Sequence, residues 1–101
     1  MTSKRPDESE LYRQLSISTE IHLRHLSIKV GLARLTSYLN RASKAGMIRV
    51  NIIHGRSGGD LRKAVHQHLK TNKLFKSYEY PALPSEGGPG ATTARLHKIT
   101  D

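Results

Sequence analysis

Residues 52–62, Ile-Ile-His-Gly-Arg-Ser-Gly-Gly-Asp-Leu-Arg, concentrate the side chains most able to do chemistry. Ile48, Val50 and Ile52, followed by Ile53, make an apolar segment of strand length that stops at His54 and gives way to Gly55, Gly58 and Gly59 before an amphipathic segment opens at Asp60. A strand that passes through a glycine-rich loop into a helix points unpaired backbone N–H groups and the positive end of the helix dipole outward. Glycine also lets a ligand approach the main chain closely. The natural occupant of such a loop is an oxyanion of phosphate. Arg56 and Arg62 add guanidinium forks suited to phosphate oxygens, and Lys63 adds a further cation. The same pattern also serves a tight turn that binds nothing, because the Gly-Lys-Ser/Thr ending of a nucleotide-binding P-loop is missing.

Other groups offer weaker chemistry. His22, His25 and His54 stand at strand ends that the topology can bring together, with Glu86 as a further donor. They lack the i, i+4 or short-loop spacing of metal ligands, so hydrogen bonding or nucleic-acid contact is the preferred reading and no metal site is assigned. His66 and His68 lie two apart on a helix, face different directions and read as surface residues. Ser57 and His54 form a nucleophile and base in principle, but no acid orients them. Tyr78 and Tyr80 have strand spacing, which favours packing over base stacking. The chain has no cysteine, which excludes disulfides, thiolate zinc sites and thiol nucleophiles.

The elements that must position these groups follow from periodicity. Ile21 and Leu23 alternate with Glu20, His22 and Arg24, the pattern of a half-buried strand over residues 19–24. Ser27 caps a helix whose apolar positions Ile28, Leu32, Leu35, Leu39 and Ala42 recur at steps of three and four until Gly46. Lys29, Arg34, Arg41 and Lys44 fall on its other face. A second strand runs to Ile53, and a second helix, capped by Asp60 or a nearby glycine, carries Leu61, Ala64, Val65 and Leu69 to about Asn72. Leu74 to Tyr80 reads as a strand stopped by Pro81, Pro84 to Gly90 as irregular, and Thr92 to Ile99 as a last strand. Residues 1–18 lack a sustained pattern and read as an arm, with Leu11, Tyr12 and Leu15 able to form one helical turn. The fold expected for residues 19–101 is therefore a two-layer α/β sandwich, β-α-β-α-β-β, with a mixed four-stranded sheet and both helices on one face.

Charge selects the partner. There are 17 Lys and Arg against 8 Asp and Glu, a net +9. Within residues 1–18, Lys4, Arg5 and Arg13 are balanced by Asp7, Glu8 and Glu10, so the whole excess belongs to the domain. Such a field attracts polyanions. An acidic protein partner is the alternative from another class. No apolar stretch nears the roughly 18 residues of a membrane span, and the first residues resemble neither a signal nor a transit peptide. The expected location is intracellular, cytoplasmic or organellar, and not secreted, with no membrane partner and no small-molecule substrate.

About thirty residues beyond the first loop, Glu86-Gly87-Gly88-Pro89-Gly90-Ala91-Thr92 precedes the last strand. Together with the His-Gly loop it resembles the Smr (small MutS-related) domain family, in which an Ile-Ile-His-Gly-Lys-Gly-x-Gly-x-Leu-Arg segment is followed by a helix, a strand and a Glu-Gly-Gly-x-Gly-Ala-Thr turn. The matching residues are Ile52, Ile53, His54, Gly55, Gly59, Leu61, Arg62, Glu86, Gly87, Gly88, Gly90, Ala91, Thr92 and Leu96, in order from about Glu20 to Ile99. The resemblance implies the same β-α-β-α-β-β sandwich, like the C-terminal domain of the third translation initiation factor. It also implies binding of DNA or RNA and, in several members, nicking endonuclease activity with or without a metal. The first-strand pattern of the family, Leu-Asp-x-His-Gly, aligns with Ile21-His22-Leu23-Arg24-His25. His22 thus stands in place of an acid that would serve as metal ligand or base, and Arg24 in place of a frequent His, as in members related to the MutS-like nucleases. Arg56 replaces Lys and keeps its charge, whereas Ser57 replaces Gly.

The leading expectation is a domain that grips the phosphate backbone of nucleic acid through Arg24, His54, Gly55, Arg56, Ser57, Gly58, Gly59, Arg62 and Lys63. RNA is favoured over DNA, in a non-catalytic subunit lodged among the proteins of a ribonucleoprotein such as a ribosome. The alternative is a nicking endonuclease using His54, Arg24 and His22 at the scissile phosphate. No cofactor is expected, except a divalent metal in the nuclease case.

Overall fold

A computed structural model describes residues 17–57 and 59–98. The helical turn suggested for Leu11, Tyr12 and Leu15, the loop residue Gly58 and the expected strand end Ile99 lie outside the described residues. The chain order is β1 (Glu20–His22), α1 (Ile28–Lys44), β2 (Arg49–Ile53), α2 (Asp60–Thr71), β3 (Phe75–Glu79) and β4 (Ala91–Leu96). Two short 3₁₀ turns, Pro84–Glu86 and Gly88–Gly90, lead into β4.

Helix α1 forms where capping and apolar spacing agree. Ser27 Oγ accepts from the Val30 amide at 3.2 Å, and Arg41 and Lys44 sit in the last turn, where the helix dipole favours cations. Leu35, Tyr38, Leu39 and Ala42 are buried at spacings of three, one and three, the stripe a helix presents to a sheet. Ile28, expected on that stripe, is 43% exposed and lies in the first turn, directly after the extended N-cap Ser27. Gly31 of α1 faces Leu61 of α2, and Thr36 Oγ1 is 2.7 Å from His68 Nε2, so the two helices touch on the same side of the sheet.

Strand order is β1-β2-β4-β3. β1 and β2 are parallel with Ile21 opposite Ile52, as a helical crossover requires, and β4 runs antiparallel to both β2 and β3. The last strand in sequence thus occupies the middle of the sheet, and five of its six residues are buried. Ile52, Val50, Ala94, Leu96 and Leu23 meet Leu35, Leu39, Val65 and Leu69 in one core. β1 is shorter than its alternation suggests: Leu26 N–H closes a turn on Leu23 O at 3.2 Å, and His25 adopts φ +68°. Ile17 packs against the core and Ser18 O accepts the Tyr38 hydroxyl at 2.6 Å, so the end of the arm is tied to α1. Among the described residues no helix is long and apolar enough to cross a membrane.

The segment before β4 is fastened across the helix-free face. Asn51, which is buried, donates through Nδ2 to Glu86 O and accepts from Thr93 Oγ1 at 3.2 Å. Arg49 Nη2 lies 2.7 Å from Glu86 Oε1 and holds that carboxyl below the usual glutamate range. Within this segment Gly87 has φ +114°, and a Cβ there would sit 2.7 Å from Ala91 Cβ. Gly87→Ala is expected to lower stability by about 2–4 kcal/mol, combining backbone strain with a steric clash. Gly46→Ala, at φ +86° but with nothing within 4 Å, is the control and is expected to lose about 1–2 kcal/mol. Urea unfolding midpoints compare the two; equal losses would mean that the Ala91 contact relaxes.

Candidate functional site

The two glycine motifs meet at one acceptor. The backbone N–H groups of His54 and Gly55, at the end of β2, both donate to Gly90 O, at 3.0 and 2.9 Å. The His54 side chain then turns inward and is only 5% exposed. Gly55 O lies 2.9 Å from His54 Nδ1, and a carbonyl can only accept, so Nδ1 carries the proton and Nε2 is an acceptor. Thr92 Oγ1, 2.9 Å away, donates to that Nε2 and accepts from His66 Nε2 at 2.8 Å. The result is a directed chain from His66 through Thr92 to His54 and Gly55 O in which both imidazoles are neutral. Burial, opposed by the bond to Gly55 O and reinforced by Arg62, lowers the His54 pKa. Burial and then the charges of His54, Arg62 and Lys70 push His66 down to about 4.

Aromatic rings enclose this chain. His66 stacks on Tyr78 with centroids 4.4 Å apart, and Tyr80 meets it edge-on at 5.2 Å. Arg62 lies over the Tyr80 ring at 5.2 Å and donates to its hydroxyl at 3.2 Å, while that hydroxyl donates to Pro89 O at 2.9 Å. Strand β3, helix α2 and the glycine turn are thereby clipped together. The packing role expected of Tyr78 and Tyr80 is the one the rings fill.

Outside this buried cluster, a cleft of about 240 Å³ opens at the C-terminal ends of the parallel strands β1 and β2. One wall is Arg24, His25 and Leu26; the other is Gly55, Arg56 and Ser57; Leu61 and His54 complete it. Arg24 packs its stem on Gly55, with Cγ 3.3 Å from where a Cβ would stand, and Arg56 packs likewise on Gly90 at 3.1 Å. Both arginines are exposed, and among the described residues neither is bridged to a carboxylate. His25 holds its left-handed φ of +68° where the family pattern has glycine, a conformation that disfavours a side chain by roughly 1–2 kcal/mol.

Arg24, His54, Gly55, Arg56 and Ser57 are therefore brought together, with His54 contributing from inside. Arg62 is not at the cleft: its guanidinium folds back over Gly59 and Tyr80. Lys63 is exposed on α2 and does not line the cleft, and Gly59 is buried with its N–H bonded to Ser57 O at 2.8 Å. The expected cradle of loop amides is accordingly smaller, since the His54, Gly55 and Gly59 N–H groups already have acceptors. His22 points to the other side of the sheet from Leu23, exposed and 3.1 Å from Glu20 Oε2, so it does not reach the cleft. Among the described residues no three His, Asp or Glu groups gather to hold a metal. The surface reading of His66 and His68 is corrected. Each is partly buried by a partner distant in sequence, Thr92 for His66 and Thr36 for His68. Thr92 was visible only as the end of the Gly-Ala-Thr match; nothing in spacing links it to His66.

Residues 21–97 match the Smr domain family. The endonuclease MutS2 of Thermomicrobium roseum is 45% identical over 80 residues, 79% of this chain, and that of Staphylococcus haemolyticus is 42% identical over 81 residues, 80% of this chain. The chain spans about a tenth of the length of these relatives. The crystal structure of the Smr domain of Thermus thermophilus MutS2 is similar with a TM-score of 0.73 at 32% identity, covering 77% of this chain and 96% of that one. YdaL, a stand-alone small MutS-related protein from Escherichia coli, shares the fold with a TM-score of 0.71 at 23% identity, over 97% of this chain and 82% of its own.

Two outcomes test the histidine chain. Thr92→Val preserves shape but strands the Nε2 atoms of His54 and His66, and should lower stability by about 1–3 kcal/mol at pH 7 with an unchanged urea m-value. For pH, the folded His66 titrates near 4 and the unfolded side chain near 6.5. The unfolded state binds the proton first, so this stability is complete above 6.5 and is lost as pH falls toward 4. Between pH 7 and 5 wild type should lose on the order of 1 kcal/mol more than His66→Gln, after allowance for solvent at the ring. Parallel pH profiles for the two proteins would remove the histidine chain from the stability account.

Proposed function

The chain belongs to the Smr domain family, and on that premise we propose that it binds the sugar-phosphate backbone of nucleic acid in the cleft at the ends of β1 and β2. The observation that carries the reading is the convergence of Arg24 and Arg56, from two different loops, on one cleft of about 240 Å³. Their stems are packed against Gly55 and Gly90. Guanidinium groups held this way lose less side-chain freedom on binding, and two of them on one phosphate make charge-assisted, geometrically selective bonds. Ser57 adds a hydroxyl at the same wall, and Lys63 with the amino end of α2 adds to the field that steers a polyanion inward. Asp60, in the first turn of α2, opposes that field, so the weight of the reading rests on the two arginines.

The finer reading keeps RNA ahead of DNA and a non-catalytic place within a ribonucleoprotein. The non-catalytic part is supported by the absence of a carboxylate at position 22 and by the engagement of both ring nitrogens of His54 within the protein, which leaves His25 as the imidazole at the cleft wall. The competing reading, a nicking endonuclease, is favoured by the name of the MutS2 relatives at up to 45% identity. In it Arg24 and Arg56 would stabilise charge on the scissile phosphate, and attack would need a base, for which His25 is the exposed imidazole at the cleft wall, or a divalent metal.

Labelled RNA and DNA strands of one sequence, titrated by fluorescence anisotropy across a salt series, test binding. Arg24→Ala/Arg56→Ala should weaken binding at least tenfold and flatten the salt slope by roughly 0.7 per lost phosphate contact. RNA is expected to bind more tightly than DNA. Wild-type protein that binds neither strand at low salt overturns the proposal. Supercoiled plasmid and labelled RNA that stay intact with and without magnesium or manganese support the non-catalytic reading; cleavage abolished by Arg24→Ala establishes the endonuclease instead.

A further inference from the structure

A second groove, larger than the cleft, lies between the edge strand β1 and helix α1, with a volume of about 490 Å³. Helix α1 turns Leu35, Tyr38, Leu39 and Ala42 to the core, so Arg34, Ser37 and Arg41, at steps of three and four, form the neighbouring exposed stripe. This stripe makes one wall. The other wall is the outer edge of β1. Thr19 O and Leu23 N–H bond to β2, so alternation along the strand leaves the Glu20 and His22 backbone groups facing outward. The Glu20 amide is taken by Ser18 Oγ at 3.1 Å, and the His22 amide remains as a donor.

The groove's charge and donors are one-sided. Arg34 and Arg41 contribute two guanidiniums from backbone positions about 10 Å apart along the helix axis, at 1.5 Å of rise per residue. Glu20 is the groove's carboxylate among the described residues, and His22 Nε2 occupies it at 3.1 Å. The Tyr38 phenol is pushed up to about 12, chiefly by burial, and spends its proton on Ser18 O, so it adds no negative charge. The two arginines thus make the α1 wall cationic along a path that begins at His22, two residues before Arg24 of the cleft, while the outward carbonyls of Glu20 and His22 lie on the opposite wall. The Arg34 and Arg41 wall suits an extended anion, whereas β1 is an edge only three residues long, with one of its two outward amides already taken by Ser18 Oγ, and offers little to an added β-strand.

We propose that this groove continues the cleft: a single strand whose phosphate sits between Arg24 and Arg56 runs on past His22, placing further phosphates on Arg34 and Arg41. The inference rests on the reading of the cleft given above and extends it to the length of strand the domain covers.

Anisotropy titrations with labelled single strands of about 4 and about 16 nucleotides, the span of single-strand site sizes in compact domains, separate the two. Arg34→Ala/Arg41→Ala should leave the short strand unchanged, weaken the long one about tenfold, and reduce the long-strand salt slope by roughly 1.4, the value for two phosphate contacts on a single strand. Lys29→Ala/Lys44→Ala removes the same charge from α1 outside the groove and should weaken the long strand less than threefold. Equal losses from the two pairs would reduce the effect to a general field and overturn the groove, as would a long strand indifferent to Arg34→Ala/Arg41→Ala. Wild type that binds neither length defeats the cleft reading itself. Wild type whose binding falls with Arg24→Ala/Arg56→Ala but not with Arg34→Ala/Arg41→Ala leaves the cleft standing and ends its extension.

Discussion

The carbonyl of Gly90 receives two amides, from His54 and Gly55, and so joins the turn after β2 to the turn before β4. Around that junction little can move independently. A Cβ at Gly90 would crowd the stem of Arg56, standing 3.1 Å from its Cγ, and Arg56 lies at the cleft against that glycine. The pairing of Ile53 with Ala91 begins one residue beyond the junction, so the register of the central strand pair is set from the same place. A shift of one residue would exchange Thr92 for Thr93 and bring the wrong face of β4 to the histidines.

The neighbouring polar chain shows how a buried histidine can matter without acting on a ligand. Thr92 has one proton and uses it on His54, which fixes the orientation of every other bond in the series. Burial keeps both rings neutral, so no cation is left inside and the positive charge remains on the arginines at the rim. The helix-free face is electrostatically quieter, with Arg49 against Glu86 and Arg95 within 3.9 Å of Glu79. Among the described residues the cations of α1 and of the loops following β1 and β2 have no such carboxylate partners.

Helices were readable because capping and apolar spacing are local: Ser27, Leu35, Leu39 and Gly46 announce α1 without help from the rest of the chain. The loop from His54 to Gly59 was equally visible, since abrupt loss of apolar residues and a glycine cluster coincide there. What escaped is what distant residues do to one another. His66 looks exposed from its sequence neighbours, yet Thr92 and Tyr78 cover it from the sheet. Arg62 belongs to the same motif as Arg56 by spacing, yet the ring of Tyr80 offers its guanidinium a nearer partner than the cleft does. The loop amides looked unpaired because Gly90, the residue that pairs two of them, stands thirty-five residues after Gly55.

The position of β4 bears on how the domain comes to exist. β1 and β2 can pair as soon as α1 has formed between them, but β3 has no neighbour in the sheet other than β4. Without residues 91–96 the β1-β2 pair and β3 would have no strand between them, and the apolar side chains that β4 covers would be left open. The hexapeptide 91–96 is a keystone: the sheet closes through long-range pairing of β2 with β4 rather than by stepwise growth, which favours slower folding than the short length of the chain would suggest.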